Sequence, residues 1–162
     1  MRLALARLIA GMVDQAGNRP DSVLFMCGMN AIRSPMAEGL TRFLFPGQIY
    51  TSSAGVHAGE PDGFAIAAMD ELGIDLKTHT PHDLEDLHDL SFDLIVTLAP
   101  EAHHTALELT RTLACDVEYW PTEDPSLALG QREERLDAYR RVRDTLMTRL
   151  KQRFAWRSIP GG

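Results

Sequence analysis

The sequence predicts an α/β fold: a four-stranded parallel sheet, doubly wound with helices on both faces. Three observations predict it. From Asp21 onward, short β-rich runs alternate with stretches of helical periodicity. Each connection between runs is long enough to hold a helix, which a parallel crossover requires and a hairpin does not. The chain of 162 residues, 44% hydrophobic and 24% charged, has the size and composition of one domain around one core. In such sheets ligands bind beyond the carboxyl ends of the strands.

In chain order, Leu5, Leu8, Ile9, Met12 and Val13 recur at helical spacing before Gly17-Asn18-Arg19-Pro20 breaks the pattern. Residues 1–20 are therefore expected to form an amphipathic helical extension, and residues 21–162 the main domain. The apolar stripe is expected to pack on the body or on a second copy of the chain, giving a homodimer. Only Arg2 and Arg7 flank it, too few cations for a membrane-surface helix. The strands are expected at Ser22 to Cys27, Gln48 to Ser52, Phe92 to Leu98 and Asp116 to Trp120. Helices are expected at Ser34 to Phe45, Pro61 to Leu72, Pro100 to Leu113 and Glu133 to Phe154; the last places Leu136, Tyr139, Val142, Leu146 and Leu150 on one face.

Charge and cysteine content exclude several function classes. A formal net charge of -7 gives no global field to attract a polyanion, so nucleic acid is not an expected partner. Of the 16 Lys and Arg residues, 9 lie in residues 131–162, where cations suit the carboxyl end of the last helix. No run approaches 18 apolar residues, and Leu3 to Val13 is interrupted by Arg7 without a cleavage pattern. No membrane span or secretion is expected. Cys27 and Cys115 are too few for a disulfide framework or a four-cysteine zinc site, which suits a reducing, cytoplasmic setting.

The informative stretch is Cys27-Gly28-Met29-Asn30-Ala31-Ile32-Arg33-Ser34-Pro35. A cysteine ending a strand, five intervening residues and Arg-Ser-Pro opening a helix would place a thiol beneath converging main-chain N–H groups. Those amides and the helix dipole favour the thiolate, which is the nucleophilic form. Gly28, Met29, Asn30, Ala31, Ile32, Arg33 and Ser34 are the candidate phosphate-binding residues. Arg33 offers a planar fork to two phosphoryl oxygens. Ser34 can cap the helix or donate a hydrogen bond to the sulfur, and Pro35 fits the first helical turn. The loop lacks the Gly-Lys-Ser/Thr ending of nucleotide-binding loops, and no metal or other cofactor is expected.

These residues closely resemble the low-molecular-weight protein-tyrosine phosphatase family, whose hallmark is Cys, five residues, Arg-Ser. The likeness extends to Val-Leu-Phe before Cys27, to Ser-Pro-Met-Ala-Glu at 34–38 and to Ser53-Ala54-Gly55 after the second strand, covering about residues 22–155. It implies a flavodoxin-like sheet of order 2-1-3-4 and a phosphomonoesterase working through a cysteinyl-phosphate intermediate. The implied substrates are phosphotyrosine proteins or small aryl phosphates, with inorganic phosphate as product. It further implies supporting roles for Asn30, in a left-handed conformation, and for Ser53. The general acid is implied to be Asp124, in the Asp124-Pro125 pair beyond the last strand.

The chain departs from that pattern in the loop. The family usually has Gly where Met29 stands and a bulkier apolar residue where Gly28 stands. Ile32 replaces the second loop cysteine of many members, removing a reversible disulfide partner. Ser126-Leu127 replaces the aromatic residues that wall the tyrosine slot in eukaryotic members, leaving His57 as a substitute. A catalytically weak phosphate- or phosphopeptide-binding module is the alternative this leaves. Arsenate reductases share the fold and loop but relay electrons through two further cysteines after the third strand, where this chain has Thr97-Leu98-Ala99-Pro100. His79, His82 and His88, and Glu101 with His103 and His104, are read as surface clusters, since adjacent helical residues point apart.

Overall fold

The computed structural model describes residues 19–155; the expected N-terminal helix lies outside them. The elements run β1 (Ser22–Cys27), α1 (Arg33–Leu44), β2 (Tyr50–Gly55), α2 (Gly63–Asp70), β3 (Leu94–Thr97), α3 (Pro100–Leu109), β4 (Asp116–Tyr119) and α4 (Arg132–Phe154). All strand pairings are parallel and the order is β2-β1-β3-β4, the flavodoxin-like arrangement.

The pleat of β1 divides the core. Val23, Phe25 and Cys27 face α1, α2 and α4, where Met36, Leu40, Met69, Tyr139 and Leu146 pack on them. Leu24 and Met26 face α3, whose Ala102 and Ala106 allow a close approach to Ile95. β1 is central and covered on both sides, which explains why Val23 to Met26 are all apolar and 0% exposed.

Two elements end three or more residues from where the sequence reading puts them; the other bounds shift by two residues or fewer. The second strand is Tyr50–Gly55, not Gln48 to Ser52, so Ser53-Ala54-Gly55 lies inside it. The small residues have poor strand propensity, but each pairs in register with β1, Phe25 opposite Ser53 and Cys27 opposite Gly55. Helix α3 stops at Leu109, short of the expected Leu113. There the hydroxyls of Thr110 and Thr112 donate to the carbonyls of Leu107 and Leu109, drawing the backbone out of the helix.

The order places β1 between β2 and β3, so the chain leaves β1 in opposite directions on its two sides. That switch point opens a crevice at the carboxyl end of β1, immediately after Cys27. No helix among the described residues is long and apolar enough to cross a membrane.

Candidate active site

The loop from Gly28 to Ile32 is held from outside by its carbonyls. Val56, His57 and Gly59 donate main-chain N–H groups to the carbonyls of Cys27, Gly28 and Met29 at 3.1, 2.9 and 2.8 Å. His79 Nε2 contacts the carbonyl of Asn30 at 3.1 Å. A trans peptide sets each N–H opposite the preceding C=O, so the N–H groups of residues 28 to 31 are turned away from this strap. Among the described residues, the main-chain N–H groups from Gly28 to Ser34 have no protein acceptor. Helix α1 follows without a side-chain cap and without an acid in its first turn, leaving its positive end uncompensated. The arrangement is that of an anion cradle.

Asn30 turns the loop. It has φ 53°, the only positive φ at a described residue other than glycine, and it is 0% exposed. Its Nδ2 donates to Ser34 Oγ at 2.9 Å and to Ser53 Oγ at 3.0 Å, while Oδ1 accepts from the His82 N–H at 3.0 Å. Ser53 in turn donates to Glu38 Oε2 at 2.9 Å. With Asn30 donating to it, the Ser34 hydroxyl has its proton free for Cys27 Sγ, 2.9 Å away. Ser34 thus takes the sulfur contact rather than the helix cap.

The buried Cys27 opens on one side into a cavity of about 220 Å³ whose wall includes Met29, Arg33, Asp62 and Asp124. Arg33 Nη1 donates to the Thr122 carbonyl at 3.0 Å, tying the guanidinium to the segment that carries Asp124. Asp124 caps the turn Pro125–Leu127, accepting from the Ser126 N–H at 3.0 Å and the Ser126 hydroxyl at 2.7 Å. Residues 97 positions apart in sequence therefore share one cavity, because the loops after β1 and β4 open at the same sheet edge.

Several participants escaped the sequence reading. Asp62 Oδ1 caps α2 through the N–H groups of Phe64 and Ala65, and Oδ2 accepts from Tyr139 Oη at 3.0 Å. Burial, and next this hydrogen bond, push the Tyr139 phenol above its ordinary range. Glu60 joins Asp62 and Asp124 on the cavity wall. Asp62 falls in the first turn of the expected helix Pro61 to Leu72, where an acid is ordinary, so no local signal marked it; the helix in fact begins at Gly63 with Asp62 as its cap. His79 and His82, read as surface histidines, instead support the loop from 49 and 52 positions away. His57 does not line the cavity; its backbone straps the loop and its side chain is exposed.

The exchanged loop residues each have a spatial partner. Met29 is 51% exposed at the mouth, and Gly59 lies close enough that a Cβ there would approach the Met29 Cβ to 2.9 Å. A Cβ on Gly28 would collide with the carboxylate of Glu101, which occupies the space of the missing side chain.

The second cysteine is remote. Cys115 immediately precedes β4 and, by register, is level with Ser22, five residues below Cys27 and two strands across. At about 3.3 Å per residue and 4.8 Å per strand, the Cα atoms are roughly 19 Å apart, against a limit near 7 Å for a disulfide. Burial, then the charge of Asp116, push the Cys115 thiol up.

Comparison with known proteins agrees with this geometry. The family model for low molecular weight phosphotyrosine protein phosphatase matches residues 22–157. A curated relative, the arsenate reductase of Bacillus subtilis (strain 168), is 33% identical over 134 residues, covering 80% of this chain and 92% of that protein. The structure of an arsenate reductase in the phosphate binding state has TM-score 0.65 and 28% identity, covering 83% of this chain and 97% of that one. That of the low molecular weight protein tyrosine phosphatase from T. tengcongensis has TM-score 0.65 and 26% identity, covering 81% and 95%. Sheet order, loop and family match together establish that the chain belongs to the low molecular weight phosphotyrosine protein phosphatase family.

Proposed function

We propose that the protein hydrolyses phosphomonoesters, of the phosphotyrosine or small aryl phosphate class, through a cysteinyl-phosphate intermediate. The observation that carries this reading is the shared cavity: the Cys27 thiol, the Arg33 guanidinium and the Asp124 carboxylate around a loop whose N–H groups have no acceptor among the described residues. The Cys27 thiolate attacks phosphorus, and the bond to the ester oxygen breaks as Asp124 gives that oxygen a proton. Arg33 and the loop amides hold the equatorial oxygens, where charge spreads in the transition state. Water, deprotonated by Asp124, then attacks phosphorus and expels the sulfur, which the Ser34 hydroxyl stabilises. The products are the alcohol and inorganic phosphate, and no step requires a cofactor.

The names of the curated relatives favour a second reading, arsenate reduction. Reducing arsenate to arsenite takes two electrons from two thiols, and Cys115 is out of reach of Cys27 by the strand register. That activity in this chain would therefore need a thiol from another molecule.

One experiment separates the readings. Hydrolysis of 4-nitrophenyl phosphate by the wild type, its loss in Cys27→Ser, and arsenate acting only as a competitive inhibitor are expected. Thiol oxidation stoichiometric with arsenate, in the presence of supplied glutathione and without phosphatase turnover, would replace this reading by the second. Oxyanion binding with neither activity would leave the protein a binding module.

A further inference from the structure

We propose that the candidate site selects phosphomonoesters whose leaving group carries a positive charge, and that Glu60 is a residue determining this specificity. The inference rests on the phosphatase reading of the same cavity and adds the chemical class of the group beyond the ester oxygen.

The argument begins with charge. A phosphate monoester brings up to two negative charges, which Arg33 and the amide cradle receive. Around the same cavity stand Glu60, Asp62 and Asp124. Among the described residues none of these three carboxylates is in an ion pair; the neighbouring Arg132 and Arg135 lie over the ring of Phe64, at 5.5 and 4.8 Å. Asp62 is fixed by its cap and by Tyr139, and Asp124 by Ser126, so neither swings away when substrate enters. Glu60 is exposed and accepts no hydrogen bond from another described residue. A neutral leaving group would face Glu60 and Asp62 without a partner, whereas an ammonium group on it would meet an attractive wall; Asp124, which carries the proton for the ester oxygen, adds no charge at that stage.

The cavity also lacks what a neutral aryl group uses. Among the described residues no aromatic side chain lines it and the only long apolar one is Met29, which with Ile32 and Ala31 gives one flexible apolar side to the slot. Stacking therefore contributes little, and electrostatic complementarity is left to distinguish substrates.

The test uses two phosphates with similar phenol leaving groups: 4-(2-aminoethyl)phenyl phosphate, cationic, and 4-ethylphenyl phosphate, neutral. At low salt the wild type is expected to favour the cationic one in kcat/KM by about fivefold or more, the scale of one rim charge pair. The preference should shrink as ionic strength rises. In Glu60→Gln the ratio should fall toward one. Calorimetric affinities of Cys27→Ser for the same pair read the wall without turnover. Absence of hydrolysis with a retained affinity preference would refute the phosphatase reading alone. Equal affinities and equal kcat/KM for the two phosphates, or a ratio unchanged by Glu60→Gln, would overturn the specificity proposal.

Discussion

Replacing Gly55 with Ala tests whether the anion cradle is held by contact between β2 and the loop. Gly55 ends β2, paired with Cys27. A Cβ there would stand 2.8 Å from the Asn30 nitrogen and 2.9 Å from the Met29 carbonyl carbon, and closer still to the His57 carbonyl oxygen. All three atoms are main chain, so no side-chain rotation relieves the contact. Ordinary van der Waals contact begins near 3.4 Å, so the loop must move by about 0.6 Å or more relative to the strand. An N–H···O bond lengthened from about 2.9 Å by that amount is effectively lost. Each such bond to an anion is worth about 1.5–3 kcal/mol, so vanadate or phosphate affinity should fall about 10- to 100-fold. Overpacking should also cost about 1–3 kcal/mol of stability. Gly63→Ala is the control, because nothing lies within 4 Å of its Cβ and it begins a helix. It should gain about 0.4–1 kcal/mol and leave anion binding unchanged. The assays are the vanadate inhibition constant and the urea midpoint. Wild-type vanadate affinity in Gly55→Ala, whatever happens to its stability, would refute the idea that this contact sets the loop.

Other expectations follow from single contacts. Ser34→Ala removes the hydroxyl 2.9 Å from the sulfur, so breakdown of the cysteinyl-phosphate should slow about tenfold or more and a burst of phenol should appear; steady turnover without a burst would deny Ser34 this role. Asp124→Ala should slow alkyl-substituted phenyl phosphates about 10²–10⁴-fold while sparing esters of strongly acidic phenols, and a uniform loss across leaving groups would count against a general acid. Glu71, hydrogen-bonded by Arg140 at 2.7 Å and Arg143 at 2.8 Å, has its carboxyl lowered to about 2 by those hydrogen bonds. A depressed acid stabilises the fold above its unfolded value and loses that contribution as pH falls through its folded one. The urea midpoint of Glu71→Gln should therefore lie below wild type at neutral pH and converge with it between about pH 4.5 and about 2; a gap constant across that range would show the ion pairs to be irrelevant.

Much of the fold was legible because its signals are local. Continuous apolar character over Val23 to Met26 marks a strand covered on both faces, and Arg33-Ser34-Pro35 marks a helix start beside a thiol. The missed elements depended on distant partners. Ser53, Ala54 and Gly55 have little reason to be extended until β1 supplies the ladder, so the strand was read as ending at Ser52. The histidines at 79 and 82 look like solvated polar residues until the chain folds back to place them against Asn30.

The sequence by itself determined the parallel α/β order and the thiol-loop-guanidinium unit, because strand periodicity and a nine-residue turn involve only near neighbours. The family resemblance pointed to Asp124, but tertiary structure alone added Glu60 and Asp62 to the acids around that unit. Glu60 and Asp62 come from the connection after β2 and Asp124 from the loop after β4; the parallel sheet opens both at one edge, and the reversal of chain order at β1 leaves the crevice there that they surround. It also decided that Cys115 stands apart from Cys27, since strand register, which no single strand encodes, sets their separation.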